Sequence, residues 1–395
     1  MNETDSHGIV SAGVADPGGA ASADELAAWA ELAALRAQLA QACGEGRPVL
    51  LQGGNTKAFY GNPWPVDGAD PVVVDARRYR GIVSYEPTEL VVTVRGGTPL
   101  AELETLLAAQ GQCLAFEPPR FAAGGTVGGM VAAGLSGPRR MSAGAVRDFV
   151  LGTVLVSARG ELMRFGGQVM KNVAGYDISR LLVGSMGVLG MLAEVSLKVL
   201  PLPRADQTLR LPLDEAEAIR RCNQWGGQPL PLAATAWVAG ALWVRLCGAG
   251  RAVEAALSQL GGDPVPAAEA ARFWQGLRDQ QHAFFGEDER AAPLWRLSVP
   301  ATTPPLALPG RQLIEWGGAL RWYRPEPEHA LSPEALRSLA AEVGGSAVLF
   351  RAGRAQAQVL RLPPLAEPAR GLHQRLKQVF DPGGHINPGR LYDWL

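Results

Sequence analysis

Residues 124–137 read GGTVGGMVAAGLSG, with six glycines in fourteen positions and no charge. Glycine raises the entropy cost of ordering a chain and weakens both helices and strands. A stretch this rich in it therefore serves something other than regular structure. Two readings fit. Gly125 and Gly129 lie four apart, a spacing at which small residues let a helix pack closely. Alternatively, backbone without Cβ atoms comes within hydrogen-bonding reach of a flat ligand and its phosphates.

Outward from this stretch the chain alternates between helices and short strands. From Asp24 to Ala42, Trp29, Leu32, Leu35 and Leu39 share a helical face behind an acidic start. Apolar, β-branched runs at 48–51, 72–74, 81–84 and 90–94 predict strands. Thr98 and Pro99 predict a helix with a capping threonine and proline at its first position. Leu100, Leu103 and Leu107 give it a face, and Gly111 ends it. Beyond the glycine stretch, residues 151–167 predict two strands joined at Ala158-Arg159-Gly160. Asp177 predicts a cap for a helix ending near Gly184. Ala193, Val195, Leu197 and Val199 alternate with Glu194, Ser196 and Lys198, the pattern of a sheet with one buried face.

The chain has 395 residues, 47% apolar and 19% charged, which exceeds the size at which one core splits. Seven of its ten tryptophans fall between Trp225 and Trp322, so a domain boundary is placed between Pro201 and Arg210. A formal charge of −1 provides no field to attract nucleic acid, which is excluded as a partner. Cys43, Cys113, Cys222 and Cys247 are scattered, giving neither a disulfide framework nor an iron–sulfur motif. The first 22 residues have neither the basic start nor the apolar core of a signal peptide and read as a disordered lead-in. The longest apolar run, Leu181 to Ala193, is too short to cross a bilayer. A cytoplasmic protein is expected.

Common nucleotide and hydrolase motifs are absent: no GxGxxG, no Gly-Lys pair, no GxSxG, no HExxH. Five histidines, none closely paired, make a metal site unexpected. Three further segments carry polar groups suited to binding. Residues 52–61, QGGNTKAFYG, follow the strand PVLL; they read either as a strand-ending turn or as a backbone nest for phosphate, with Asn55, Thr56 and Lys57 adding hydrogen bonds and charge. Residues 171–197, KNVAGYDISRLLVGSMGVLGMLAEVSL, form a helix–turn–strand joint. Near the C-terminus, HINPGR sets Asn387 and Arg390 beside a turn, as donors suited to a carbonyl-rich ring or a phosphate.

In order and wording these four segments resemble the flavoproteins of the vanillyl-alcohol oxidase type, whose FAD sits in a PCMH-type domain. GLSGPRRMSAGAVRDFVLGT, RFGGQVMKNVAGYDISRLLVGS, IEWGGALRW and FDPGGHINPGRLY are similar, more narrowly, to the FAD-binding subunits of bacterial glycolate oxidases. The resemblance implies an α+β fold. A PCMH-type FAD-binding domain of two α/β subdomains spans 23–203. An α+β cap domain with an antiparallel sheet spans 204–362, and a C-terminal helix and tail, 363–395, return to the FAD site. It implies FAD binding by Gly53, Gly54, Asn55, Thr56 and Lys57 in the first loop and by Gly125, Thr126, Gly128 and Gly129 in the second. Gly187, Leu189 and Gly190 follow in the third segment, and Asn387 in the tail. Some relatives attach the flavin to a histidine of the first loop; Asn55 and Thr56 stand there instead, so noncovalent FAD is expected.

The implied activity is oxidation of glycolate, a 2-hydroxy acid, to glyoxylate, together with a catalytic flavin subunit and an iron–sulfur subunit. Membrane contact would be indirect, through those partners at the inner membrane. Relatives that oxidise 2-hydroxy acids carry an HxGDGNxH-like motif on a cap strand. The counterpart here, Glu315 to Trp322 (EWGGALRW), has no histidine. Within it, Arg321 is the candidate for a carboxylate clamp or a structural ion pair, and Glu315 for a base. The catalytic residues stay unassigned. Two alternatives remain: a self-sufficient FAD-dependent 2-hydroxy-acid dehydrogenase, and an assembly or electron-relay subunit without turnover of its own.

Overall fold

The structure is a computed structural model that describes residues 22–64, 70–167, 177–286 and 292–395. The lead-in at 1–21 and Lys171–Tyr176 of the third segment lie outside the described residues. The first helix, α1 (Ala23–Gly44), opens with a capping box: the Ser22 hydroxyl accepts from Glu25 N at 3.2 Å, and the Glu25 carboxylate accepts from Ser22 N at 2.9 Å. Leu32, Leu35 and Leu39 form its buried face. They pack with Val49 and Val74 from β1 (Val49–Gln52) and β2 (Val72–Asp75), a parallel pair.

The chain then enters an antiparallel sheet through β3 (Ile82–Glu86) and β4 (Val91–Arg95). Helix α2 (Leu100–Ala109) follows, then the two-residue strand β5 (Gln112–Cys113). Helices α3 (Val127–Ala133) and α4 (Arg140–Ala143) come next. Strands β6 (Val150–Val156) and β7 (Leu162–Gly166), helix α5 (Ile178–Leu181) and strand β8 (Met191–Lys198) complete the sheet in the order β3-β4-β8-β6-β7. Strand β9 (Leu200–Pro201) pairs back with β5.

Two local expectations need correction. Thr98 does not cap α2: Pro99 occupies the flanking position with extended backbone. The Thr98 hydroxyl donates to Arg95 O at 2.7 Å and accepts from Gly81 N at 2.9 Å. The first α2 amide, Leu100 N, is satisfied by Gly125 O at 2.8 Å, so the glycine stretch supplies that partner. The strand β8 is buried on both faces, not one. Leu192, Val195 and Leu197 join one core cluster, while Met191 and Ala193 join the cluster under α1. The polar residues are paired to allow this: Tyr79 OH donates to Glu194 at 2.7 Å, and Ser196 shares a hydroxyl bond of 2.9 Å with Thr93.

A second, larger sheet starts with β10 (Ala205–Pro212), then helix α6 (Glu215–Gly226), strands β11 (Leu232–Val238) and β12 (Ala241–Gly248) and helix α7 (Gly250–Leu260). Strand β13 (Asp263–Val265), helix α8 (Ala267–Arg278) and strands β14 (Leu294–Ser298), β15 (Gly310–Glu315) and β16 (Leu320–Pro325) follow. Helix α9 (Pro333–Glu342) and strand β17 (Ser346–Arg351) close it. All eight strands are antiparallel, in the order β13-β10-β12-β11-β15-β16-β14-β17. Charged bridges join this unit to the first. Arg245 reaches Glu117 at 2.7 Å, and the Asp279 carboxylate accepts from Arg120 N at 3.0 Å.

The last helix, α10 (Glu367–Phe380), redirects the tail. Buried Lys377 pairs with Asp381 at 2.8 Å and donates to Val188 O and Ile386 O, both at 2.7 Å. Ile386 in turn bridges in parallel to Val49. The C-terminus is thereby brought beside the first glycine loop. Among the described residues no helix is long and apolar enough to cross a membrane, and no cluster of metal-ligating side chains forms.

Candidate functional site

The first loop leaves β1 at Gly53 and Gly54 and lies directly on the second. A Cβ at Gly54 would fall 1.6 Å from Gly124 O, and one at Gly53 would fall 2.5 Å from the Thr126 hydroxyl. The glycines thus let two backbones touch. Thr126 caps α3 by accepting from Gly129 N at 3.2 Å. Gly128 brings α3 onto the end of β4: its amide donates to Gly96 O at 2.8 Å, and a Cβ there would lie 2.9 Å from that oxygen. Close backbone packing accounts for Gly128, while Thr126 and Gly129 beside it face a cavity.

That surface bounds a cavity of about 460 Å³, within the range of cofactor sites. Gly53, Gly54, Asn55, Thr56 and Lys57 line it from the first loop, Thr126 and Gly129 from the second, and Asn387 from the tail. An adjoining cavity of about 80 Å³ adds Gly128, Gly187 and Gly190. Gly125 and Leu189 line neither. Gly125 packs toward the Thr56 hydroxyl, and Leu189 belongs to the core.

The tail residues work through the loops. The Asn387 carbonyl oxygen accepts from Leu51 N at 2.8 Å, and its amide donates to Met186 O at 2.9 Å, so one side chain ties three walls together. Arg390 donates to Ala58 O at 2.6 Å and Tyr60 O at 2.5 Å, fixing the far end of the first loop. Its guanidinium is committed to backbone carbonyls. Lys57 is different: burial pushes its amine down to about 8, against the attraction of Asp279. Its Nζ sits 5.9 Å from the centre of the Phe121 ring. A cation held out of water this way favours an anionic ligand.

The cap sheet closes on this region with aromatic side chains. Phe350 contacts Phe59, Tyr60 and Trp322 at 5.5, 5.1 and 4.9 Å between ring centres. Neither this cluster nor Tyr60, Ala132, Ala133 and Met186 in the cavity wall carries a local sequence signal; small and aromatic residues without a motif look like core.

Glu315 and Arg321 have separate fates. Arg321 is fully buried and structural: it donates to Gly318 O at 2.7 Å and Thr303 O at 2.6 Å and faces Glu215 at 3.4 Å. Of its two sequence readings, the carboxylate clamp is set aside. Glu315 is 4% exposed and accepts from Trp322 Nε1 at 2.7 Å. Burial pushes its carboxyl up to about 7, with the Trp322 bond and Arg296 opposing.

The FAD binding domain family matches residues 24–166, which include both glycine loops. The glycolate oxidase subunit GlcE of Escherichia coli (strain K12) is 48% identical over 359 residues, covering 91% of this chain and 97% of that one. The glycolate oxidase subunit GlcD of Bacillus subtilis (strain 168) is 32% identical over 168 residues, 42% of this chain and 35% of that one. Among solved structures, an alkyldihydroxyacetonephosphate synthase shares the fold, with a TM-score of 0.62 over 90% of this chain and 74% of that one at 15% identity. Glycine loops walling one cavity, an FAD-domain match that spans them, and 48% identity with one relative over nearly the whole chain agree: the chain belongs to the FAD-binding subunits of glycolate oxidase, among the PCMH-type flavoproteins.

Proposed function

We propose that this chain holds noncovalent FAD in the cavity between its glycine loops and its tail, and works as the FAD-binding subunit of an enzyme that oxidises glycolate to glyoxylate. One observation carries this reading: in a chain aligned nearly end to end with a glycolate oxidase subunit, the two loops and Asn387 wall a single cavity that also contains a buried lysine.

The residues fit FAD. Lys57 would neutralise the diphosphate, with Thr56 and Thr126 offering hydroxyls and the glycine backbones allowing close approach. Gly187 and Gly190 extend that wall beside the smaller cavity. Gly125 and Leu189 hold it from behind. No histidine or cysteine lines the larger cavity among the described residues, which supports noncovalent attachment. Bound FAD supplies a two-electron acceptor for the C–H bond of a 2-hydroxy acid. The chain's own residues orient the substrate and exclude water, the latter through Phe59, Tyr60 and Phe350.

The relatives named as subunits support work in an assembly. Its other members are a catalytic flavin subunit and an iron–sulfur subunit that carries electrons away, with membrane contact through them alone and the chain itself in the cytoplasm. Anaerobic mixing of the FAD-loaded chain with glycolate, alone and with those partners, tests the reading through flavin absorbance. Bleaching is the expected result; an unchanged spectrum in both mixtures would overturn it.

A further inference from the structure

The turn between β15 and β16 is strained. Trp316, Gly317 and Gly318 have φ of 55°, 66° and 107°, a left-handed run that a tryptophan rarely joins. Several bonds hold it there. Trp316 Nε1 donates to Gly137 O at 3.1 Å, and Gly317 N donates to the Thr235 hydroxyl at 2.9 Å. The indole is buried and points to the junction of the two units.

Two arginines converge on this indole. Arg140, from α4 of the first unit, lies 4.4 Å from the ring centre, and Arg296, from β14 of the cap sheet, lies 5.2 Å from it. Among the described residues neither guanidinium has a hydrogen bond or ion pair. The nearby carboxylates attract them without pairing: Asp148 acts on Arg140 but accepts from Ala145 N at 2.8 Å and faces Arg147 at 4.0 Å, and Glu315 feels Arg296 but accepts from Trp322. Arg147 adds another positive charge on Arg140's side, with Asp148 pulling the other way. Arg296 and Glu315 line a small cavity of about 30 Å³, bounded from the first unit by Leu135, Gly137 and Pro138. Arg296 also acts electrostatically on Tyr60, whose side chain lines the larger cavity.

Like charges gathered on one apolar ring repel each other unless an anion joins them. Guanidinium forks suit a carboxylate, and an indole face attracts a guanidinium. We propose that Arg140 and Arg296, mounted on Trp316, form the docking site for the carboxylate of a compact 2-hydroxy acid at the junction of the two units. That the acid is a 2-hydroxy acid rests on the proposed function; the oxyanion site rests on these residues. The site takes the role that Arg321 cannot fill.

The test uses the full chain saturated with FAD, so that the diphosphate site is filled. Oxalate, an unreactive compact carboxylate, is titrated while tryptophan fluorescence is recorded, with inorganic phosphate in a parallel titration. A saturable change with oxalate is expected, with phosphate weaker, and roughly ten-fold or greater loss of oxalate affinity in Arg296→Met and in Arg140→Met. Retained FAD and an unchanged melting temperature certify the variants. If Arg296→Met fails to fold, Arg296→Lys, which keeps charge but loses the fork, is expected to weaken oxalate by a similar factor. No saturable response in the wild type, equal response to phosphate, or unchanged affinity in the folded variants overturns the site. Glycolate oxidation is read separately. Oxalate binding without bleaching by glycolate keeps the site and removes the proposed function; bleaching unaffected by the variants does the reverse.

Discussion

On the FAD-domain side of the site, a Cβ at Gly54 would lie 1.6 Å from Gly124 O; on the cap side, the turn carries a tryptophan at φ 55° with two arginines against it. The first region works by leaving side chains out so that backbones meet. The second works by forcing large side chains into place. Glycine packing is a local matter of chain against chain, and its failure is steric and all-or-none. The cap region balances burial against charge, and its failures are graded and depend on pH.

Gly54→Val breaks the first region outright. The branched side chain has no room beside Gly124, so the loops separate and FAD retention is expected to fall to zero, as read by flavin absorbance after gel filtration. Retention at the wild-type level would mean that the two loops are not jointly required. Arg321→Met tests whether the cap arginine is structural. Losing the buried partner of Glu215, Thr303 O and Gly318 O should cost roughly 3–5 kcal/mol in denaturant unfolding, while oxalate affinity of the folded fraction stays unchanged.

Glu315→Gln sharpens the cap side through pH. Burial raises the folded pKa of Glu315 from 4.5 to about 7. Below the unfolded value both states are protonated and the carboxyl costs nothing. As pH rises from there, the unfolded chain releases the proton first, and stability falls until the folded group also ionises near 7. The variant should therefore match the wild type near pH 4 and exceed it by about 3 kcal/mol at pH 8. Denaturant melts at both values check this; equal curves at pH 8 would remove Glu315 as a buried charge.

The two regions also differed in how far the sequence disclosed them. GGNTK, GGTVGG and the tail Asn387 were legible because their signals are short-range: glycine pairs after a strand, a threonine before an apolar helix, a proline–glycine turn. The α1 face and most strands were legible by periodicity for the same reason. The start of α2 departs from the Thr98 cap that local sequence predicts because its first amide finds Gly125 O, a tertiary partner. The alternation in β8 hid a strand buried on both faces, because the pairs Tyr79–Glu194 and Thr93–Ser196 make polar residues tolerable inside. Nothing local in the sequence marks Arg140 or Arg296. They lie far apart in the chain, and only the folded junction brings both to Trp316.

Lys57 links the central claim to one measurement, an equilibrium FAD titration of the wild type and Lys57→Met between pH 6 and 10. The free chain's Lys57 titrates near 8, and a bound diphosphate would raise that value, so FAD binding takes up a proton above it. Wild-type affinity should be flat below about pH 7 and weaken toward ten-fold per unit above 8. Lys57→Met should bind roughly ten- to a hundred-fold more weakly at pH 7, without that slope. Equal affinities with identical pH profiles in the two proteins would contradict the placement of FAD in this cavity.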